Sequence, residues 1–428
     1  CLVGSEMCIR DRWYKAPITP MDDLHGDLRG IIEHLDHVQN LGIDVLYMTP
    51  IFQSNSCHKY DTTDYYQIDP SFGTTEDLKE LVQKAHERGM KVVLDAVYNH
   101  TGREFFAFAD ILENGEKSKY RDWYFIDGFP LKSEWGEIPN FKCFGYYGGM
   151  PKLNLKNPEV EKYITDVACY WIKECDIDGW RLDVGDEISH FFWKNFRKAV
   201  KAVKKDMLII GEIWHYAGDF LEGDEWDTVM NYPFYLNLID LLADEKITVS
   251  QFVQNLGYLK GRLHKNCYPL MWNLIDSHDT ARFLHLCNDN KKKQHLAAAF
   301  QLLLPGMPMI YYGDEYAMPG ANDPDCRRGM YWDEEYQDKE MYEWYKRLIQ
   351  VRKSHACIVE GELAGSVTED EEGTIVLIRK NGEETIAMIF NCSSSAKKFN
   401  EYTQKYNLLT ENTFDGNVEG FDAAVIVL

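Results

Sequence analysis

Short apolar runs alternate with amphipathic stretches along most of the chain. Residues 43–50 (IDVLYMTP), 91–99 (KVVLDAVYN), 178–185 (DGWRLDVG), 208–214 (LIIGEIW), 228–232, 269–279 and 308–315 read as strands. Between them, Leu78, Leu81, Val82 and Ala85 share one helical face that ends at Gly89. Asn157 and Pro158 open a second helix whose stripe is Val160, Ile164, Val167 and Trp171. Continuous apolar strands alternating with such helices predict a parallel sheet covered by helices. Each strand carries its polar residues at its C-terminal end, as in an α/β TIM-type (β/α)8 barrel whose reacting groups sit on the loops after the strands.

The pattern supplies seven strands rather than eight. The missing first strand would precede Trp13, where residues 1–12 (CLVGSEMCIRDR) begin without Met and read as foreign to the protein. The expectation is a truncated chain lacking its first barrel strand, with any upstream signal peptide out of view. The connection after Asn99 is far longer than an ordinary strand-to-helix loop. Its density of Trp, Tyr, Phe and Gly, including Trp135, predicts an inserted domain at about 101–156 over the barrel mouth. The barrel is expected over 13–360. From 361 to 428, alternating strands such as 374–379 and 384–390 around Lys380-Asn381-Gly382 predict a C-terminal β domain of the sandwich type.

Charge narrows the classes of partner. With 46 Lys+Arg against 69 Asp+Glu, the net charge is −23, which disfavours nucleic acid and anionic membranes. No apolar run approaches the ~18 residues that span a bilayer. Eleven cysteines stand singly, without CxxC spacing, and read as reduced thiols of a cytoplasmic protein. Aromatics make up 14% of the residues, and flat apolar rings are what stack on sugar faces.

The candidate chemistry follows from strand geometry. Arg181 and Asp183, two apart on one strand, share a face and point into the barrel mouth. The guanidinium holds the carboxylate ionised. Glu212 ends the next strand, so its carboxyl is expected about 5 Å from that of Asp183, the spacing of a retaining glycosidase. Asp279 ends the seventh strand beside His278 and faces the pair across the mouth. His100 adds a second imidazole, and no HExxH or carboxylate triad accompanies these histidines, so sugar-hydroxyl donors are favoured over a metal.

These motifs resemble those of the α-amylase family of glycoside hydrolases, and of its neopullulanase, cyclomaltodextrinase and maltogenic amylase branch in particular. The likeness rests on DAVYNH (95–100), GWRLDV (179–184), GEIWH (211–215) and NLIDSHDT (273–280), with MPKLN (150–154) as the mark of the branch. HKYDTTDY (58–65), VMNYPF (229–234) and DPDCRR (323–328) match as well. The resemblance implies Asp183 as nucleophile, Glu212 as general acid/base and Asp279 as the third carboxylate. It implies sugar contacts from His58, Tyr60, Asp61, His100, Arg181 and His278, a clamp on the next glucose from Asp323 and Arg327, and Trp214 where the acceptor arrives. Its substrates would be maltooligosaccharides, cyclodextrins or pullulan, with no cofactor required and no catalytic metal. It further implies a structural calcium in the full-length protein, of whose binding loop Asp27 matches the surviving half, and a homodimer there through an N-terminal domain absent here. Cys57, Asp186 and Asp276 depart from the branch pattern. Two other readings stay open: a non-catalytic amylase-like glucan-binding scaffold, and a glucanotransferase using the same intermediate.

Overall fold

The computed structural model describes residues 26–132, 138–264 and 266–428 in full, and residues 4–7 by their backbone. Eight parallel strands form the barrel: β1 (Gly4–Met7), β2 (Val45–Met48), β3 (Lys91–Ala96), β4 (Gly179–Leu182), β5 (Leu208–Gly211), β6 (Thr228–Val229), β7 (Trp272–Asn273) and β8 (Met307–Tyr311). Their order is β6-β5-β4-β3-β2-β1-β8-β7, and a parallel bridge from Met230 to Trp272 closes the ring. The (β/α)8 barrel implied by the alternating pattern is therefore present.

One expectation is corrected. The first strand is not missing, because Gly4–Met7, inside the stretch read as foreign, pairs with Val45–Met48 on one side and with Met309–Tyr311 on the other. Its physical basis is backbone chemistry: β2 and β8 would each present a row of unpaired N–H and C=O groups, and an extended segment satisfies both. Residues 1–3 and 8–25, the rest of that stretch included, and Trp135 lie outside the described residues.

Alternation along each strand splits the core in two. Val45, Tyr47, Val93, Ile210, Trp272, Met307 and Met309 fill the barrel interior, where they are buried with Met230 and Tyr232. Leu46, Met48, Val92, Leu94, Trp180 and Ile209 point outward and pack under the helices. Helix Pro158–Cys175 shows why those helices form: Asn157 accepts from the Glu159 N–H at 2.9 Å, and the buried side is Val160, Ile164, Val167, Ala168 and Trp171.

The segment between β3 and that helix carries helix Phe106–Asn114 and isolated bridges such as His100 to Lys152 and Tyr124 to Leu153. Those bridges pair the two ends of the segment with each other and fold its middle back on itself. The last part of the chain is a six-stranded antiparallel sheet with a two-stranded ribbon, Lys397–Lys398 and Asn417–Val418. Strands Thr374–Asn381 and Glu384–Asn391 form its central hairpin, and Gly382 takes the left-handed φ of +60° that the tight turn demands. The sheet docks on the barrel helix Lys291–Leu303, where Phe390 stacks on Phe300 with centroids 4.3 Å apart.

Candidate active site

Register brings the acidic residues together. Leu182 pairs with Gly211 across β4 and β5, so the next residues, Asp183 and Glu212, leave adjacent strands side by side. Asp95 pairs with Arg181 across β3 and β4. Gly211 is required before Glu212, because a Cβ there would come within 2.2 Å of the Trp226 ring.

Arg181 is the hub, with no exposed surface. Its Nη1 donates to both oxygens of Asp95 at 3.0 Å and to Asp183 Oδ1 at 2.9 Å. Its Nη2 meets Glu212 Oε2 at 3.0 Å and Asp279 Oδ2 at 3.8 Å. Tyr47 and Tyr60 donate their hydroxyls to Asp95 Oδ2 at 2.8 and 3.1 Å. The Val184 N–H donates to Glu212 Oε2 at 2.9 Å, and the Trp214 indole N–H to Oε1 at 3.2 Å. The Trp214 ring stacks on Tyr232 at 3.8 Å.

Asp183 and Glu212 are both buried, and burial raises both carboxyls; the negative charge of Glu212 adds to the rise at Asp183, and that of Asp279 to the rise at Glu212. Two desolvated acids beside one another cannot both ionise freely, so the pair retains a proton above the usual carboxylate range. Burial also pushes Asp279 up, but His278, Arg181 and Arg327 outweigh it and leave that carboxyl lowered.

The other expected residues fall into two groups. His278 belongs to the network: its Nε2 lies 2.6 Å from the Tyr60 hydroxyl and 3.2 Å from Asp279 Oδ2. Asp323 pairs with Arg327 Nε at 2.9 Å, and Arg327 reaches to 3.8 Å from Asp279. His100, His58 and Asp61 bear on the Tyr60 loop. His100 is buried, its pKa lowered to about 4 by that burial, and its Nε2 lies 3.0 Å from the Tyr60 carbonyl, to which the neutral ring donates. His58 Nδ1 accepts from the Tyr60 N–H at 3.1 Å, and Asp61 accepts from the Ser54 and Ser56 hydroxyls. These three shape the loop that presents Tyr60. Of the departures, Cys57 is exposed. Asp186 pairs with His215 at 3.1 Å. Asp276 turns away to cap Phe283 N–H at 2.7 Å.

Three participants carry weak signals in the sequence. Asp95 reads as a landmark before His100, yet it is the buried counter-ion of Arg181. Tyr47 reads as a core residue of β2. Lys152, inside MPKLN, donates to the Glu187 carbonyl at 3.1 Å and meets Glu187 Oε2 at 2.6 Å. It thereby braces the turn Gly185–Glu187 that follows Val184, a β-branched residue held at a left-handed φ of +47°.

Asp27 caps helix Leu28–Glu33, its carboxylate accepting from the Gly30 N–H at 2.7 Å, and residues 8–25 of the loop before it lie outside the described residues. No group of three or more His, Cys, Asp or Glu side chains suited to a metal occurs among the described residues.

Residues 11–361 match the family description "Alpha amylase, catalytic domain". A cyclomaltodextrinase of Geobacillus thermopakistaniensis is 48% identical over 384 residues, which cover 90% of this chain and 65% of that protein. The chain thus spans about two thirds of the length of this curated relative. A solved cyclomaltodextrinase superposes with a TM-score of 0.93 at 38% identity, covering 99% of this chain and 78% of that one. The cyclic α-maltosyl-(1→6)-maltose hydrolase from Arthrobacter globiformis, ligand-free, does so with a TM-score of 0.91 at 34% identity, covering 100% of this chain and 98% of that one. With a barrel of this topology, carboxylates gathered at the C-terminal ends of its strands and a family match over most of its length, the chain belongs to the α-amylase family.

Proposed function

We propose that the protein is a retaining α-glucan hydrolase that cleaves α-1,4 and α-1,6 glucosidic bonds of maltooligosaccharides, cyclodextrins or pullulan. The observation that carries this reading is one buried guanidinium holding Asp183 and Glu212 on its two terminal nitrogens. A shared planar fork keeps such carboxyls a few ångströms apart, in the range of the ~5 Å spacing of retaining enzymes.

Asp183 attacks the anomeric carbon as its bond to the glycosidic oxygen breaks, and Glu212 delivers its proton to that oxygen. A β-glucosyl ester of Asp183 results. Glu212, now ionised, takes a proton from water as the water oxygen attacks the same carbon, which releases Asp183 and restores the α configuration. Asp279, kept ionised, stabilises the oxocarbenium-like transition states together with Arg181. The mechanism requires the pair's proton on Glu212 when substrate is bound, with Asp183, which receives the Arg181 N–H at 2.9 Å, as the ionised nucleophile.

The deciding experiment is proton NMR of the reducing end newly formed as a cyclodextrin ring is opened, since the ring carries no anomeric hydroxyl before cleavage. The α anomer is expected, and β anomer appearing first would refute the mechanism. Products longer than the substrate would mark transfer to sugar in place of water.

Two substitutions probe the surroundings of Glu212. Trp214→Phe removes a donor that favours the ionised form, so the basic limb of the kcat/KM profile should move to higher pH, by up to about one unit. Lys152→Met releases the turn that carries the Val184 amide, and kcat should fall about tenfold or more with KM little changed. Lys152→Arg, which keeps the ammonium's role as a donor, should retain most of the wild-type rate.

The nine described cysteines are all free thiols, which supports a cytoplasmic location. No described helix is long and apolar enough to cross a membrane. A homodimer is the expected assembly, to be tested by sedimentation.

A further inference from the structure

A groove of about 450 Å³ runs along the seam between two barrel helices and the C-terminal sheet, within the size range of ligand pockets (~300–1,000 Å³). His295 enters it from helix Lys291–Leu303, and Trp344, Arg347 and Gln350 enter from helix Lys339–Ser354. Glu411, just before strand Asn412–Thr413, closes it from the sheet. None of these residues takes part in the Arg181 network. The walls are fixed. The Arg347 guanidinium donates to Glu411 at 2.7 Å, to Gln350 at 3.2 Å and to the Leu408 carbonyl, so one side chain ties the barrel helix to the sheet. The Trp344 indole N–H donates to the His295 carbonyl at 2.9 Å, and the ring lies nearly parallel to the His295 imidazole with centroids 3.8 Å apart. Burial, aided by the charge of Lys292, lowers the His295 pKa to about 4, so that imidazole is neutral near pH 7.

Those walls select the ligand. Three carboxylates, Glu340, Glu343 and Glu411, line the groove against two cations, Lys346 and Arg347, and Arg347 is already engaged, so the groove disfavours an anion. A neutral molecule with one apolar face and a rim of hydroxyls meets every wall. Its face covers the Trp344 ring, which His295 holds from the other side. Its hydroxyls donate to Glu343 and accept from Lys346 and the Gln350 amide. A glucosyl unit has that form. We propose that this groove is a second α-glucan site, which holds the glucan on the helix side of the barrel, apart from the carboxylates that cleave it. The choice of α-glucan among neutral sugars rests on the hydrolase reading above; the shape and charge of the groove do not.

The test follows the indole N–H signals of isotope-labelled Asp183→Ala, which cannot consume the sugar, by NMR as maltotriose is added. The Trp344 signal, identified by its absence from Trp344→Phe, should shift and saturate. Glu343 and Gln350 are exposed, and replacing both by Ala should raise the Kd read from that signal about threefold or more, as loss of two polar contacts implies. Circular dichroism checks that the double variant is folded. A Trp344 signal that stays still at every sugar concentration, whether or not that of Trp214 moves, would overturn the groove, and so would an unchanged Kd in the folded double variant. An equal shift with cellotriose would overturn the choice of α-glucan. The hydrolase reading fails separately: wild-type protein that cleaves no maltotriose would overturn it, while a saturating Trp344 signal would keep the groove as a glucan site.

Discussion

Replacing Asp183 by Ala is expected to abolish hydrolysis of maltooligosaccharides, with kcat reduced by a factor on the order of 10⁴ to 10⁶, the scale seen when a covalent nucleophile is removed. The loss comes from chemistry rather than folding. Asp183 is one of several acids on Arg181, and the guanidinium keeps Asp95 at 3.0 Å and Glu212 at 3.0 Å without it. Sodium azide separates this role from a structural one. In Asp183→Ala the small anion enters the vacated space and attacks the anomeric carbon directly, with Glu212 still protonating the departing oxygen, so β-glucosyl azide should accumulate. In Glu212→Ala the ester on Asp183 still forms from a substrate with a good leaving group, and azide then displaces it to give the α-glucosyl azide. Opposite anomers from the two variants would assign the two roles. The same anomer from both would refute the assignment.

Replacing Arg181 by Met should have the largest effect on stability. The side chain is fully buried and balances three carboxylates at 2.9–3.0 Å. Removing it leaves those charges buried and uncompensated, a change that costs about 3–5 kcal/mol. The sign with pH is fixed by linkage. Arg181 lowers Asp183 and Glu212 against the rise that burial imposes. Without it, their folded pKa values stand further above the unfolded ones. Stability is then present at low pH, where both are protonated, and is lost as pH rises through the raised values. The deficit of Arg181→Met relative to wild type, measured as urea midpoints, should therefore be small near pH 4 and grow toward pH 8. Arg181→Lys keeps the charge without the planar fork. It should recover part of the stability and little of the turnover.

Much of this site is legible in the order of residues alone. Asp183 and Glu212 stand directly after strand-like runs, and adjacent parallel strands of one barrel leave such residues as neighbours. Arg181 shares the face of Asp183 by simple alternation. What stays hidden depends on contacts that leave no pattern in one sequence. His100 reads as an imidazole offered to sugar, yet whether that ring meets a ligand or the Tyr60 carbonyl depends on the path of a loop forty residues earlier. Asp95 resembles the end of any buried strand because its two tyrosine donors come from elsewhere in the chain. Gly4–Met7 does not announce itself as a strand because its place is set by backbone pairing with β2 and β8.

The hub at Arg181 also has a bearing on how the molecule is made. Its acids arrive from β3, β4, β5 and the loop after β7, with Asp279 nearly a hundred residues downstream of the arginine. During synthesis, a ribosome-bound fragment ending before that point lacks one of the charges that compensate burial of the guanidinium. The barrel cannot close around it until the later strands emerge. The centre that performs the chemistry is thus assembled late, and recovery of enzymatic turnover after dilution from denaturant should trail the return of helical signal.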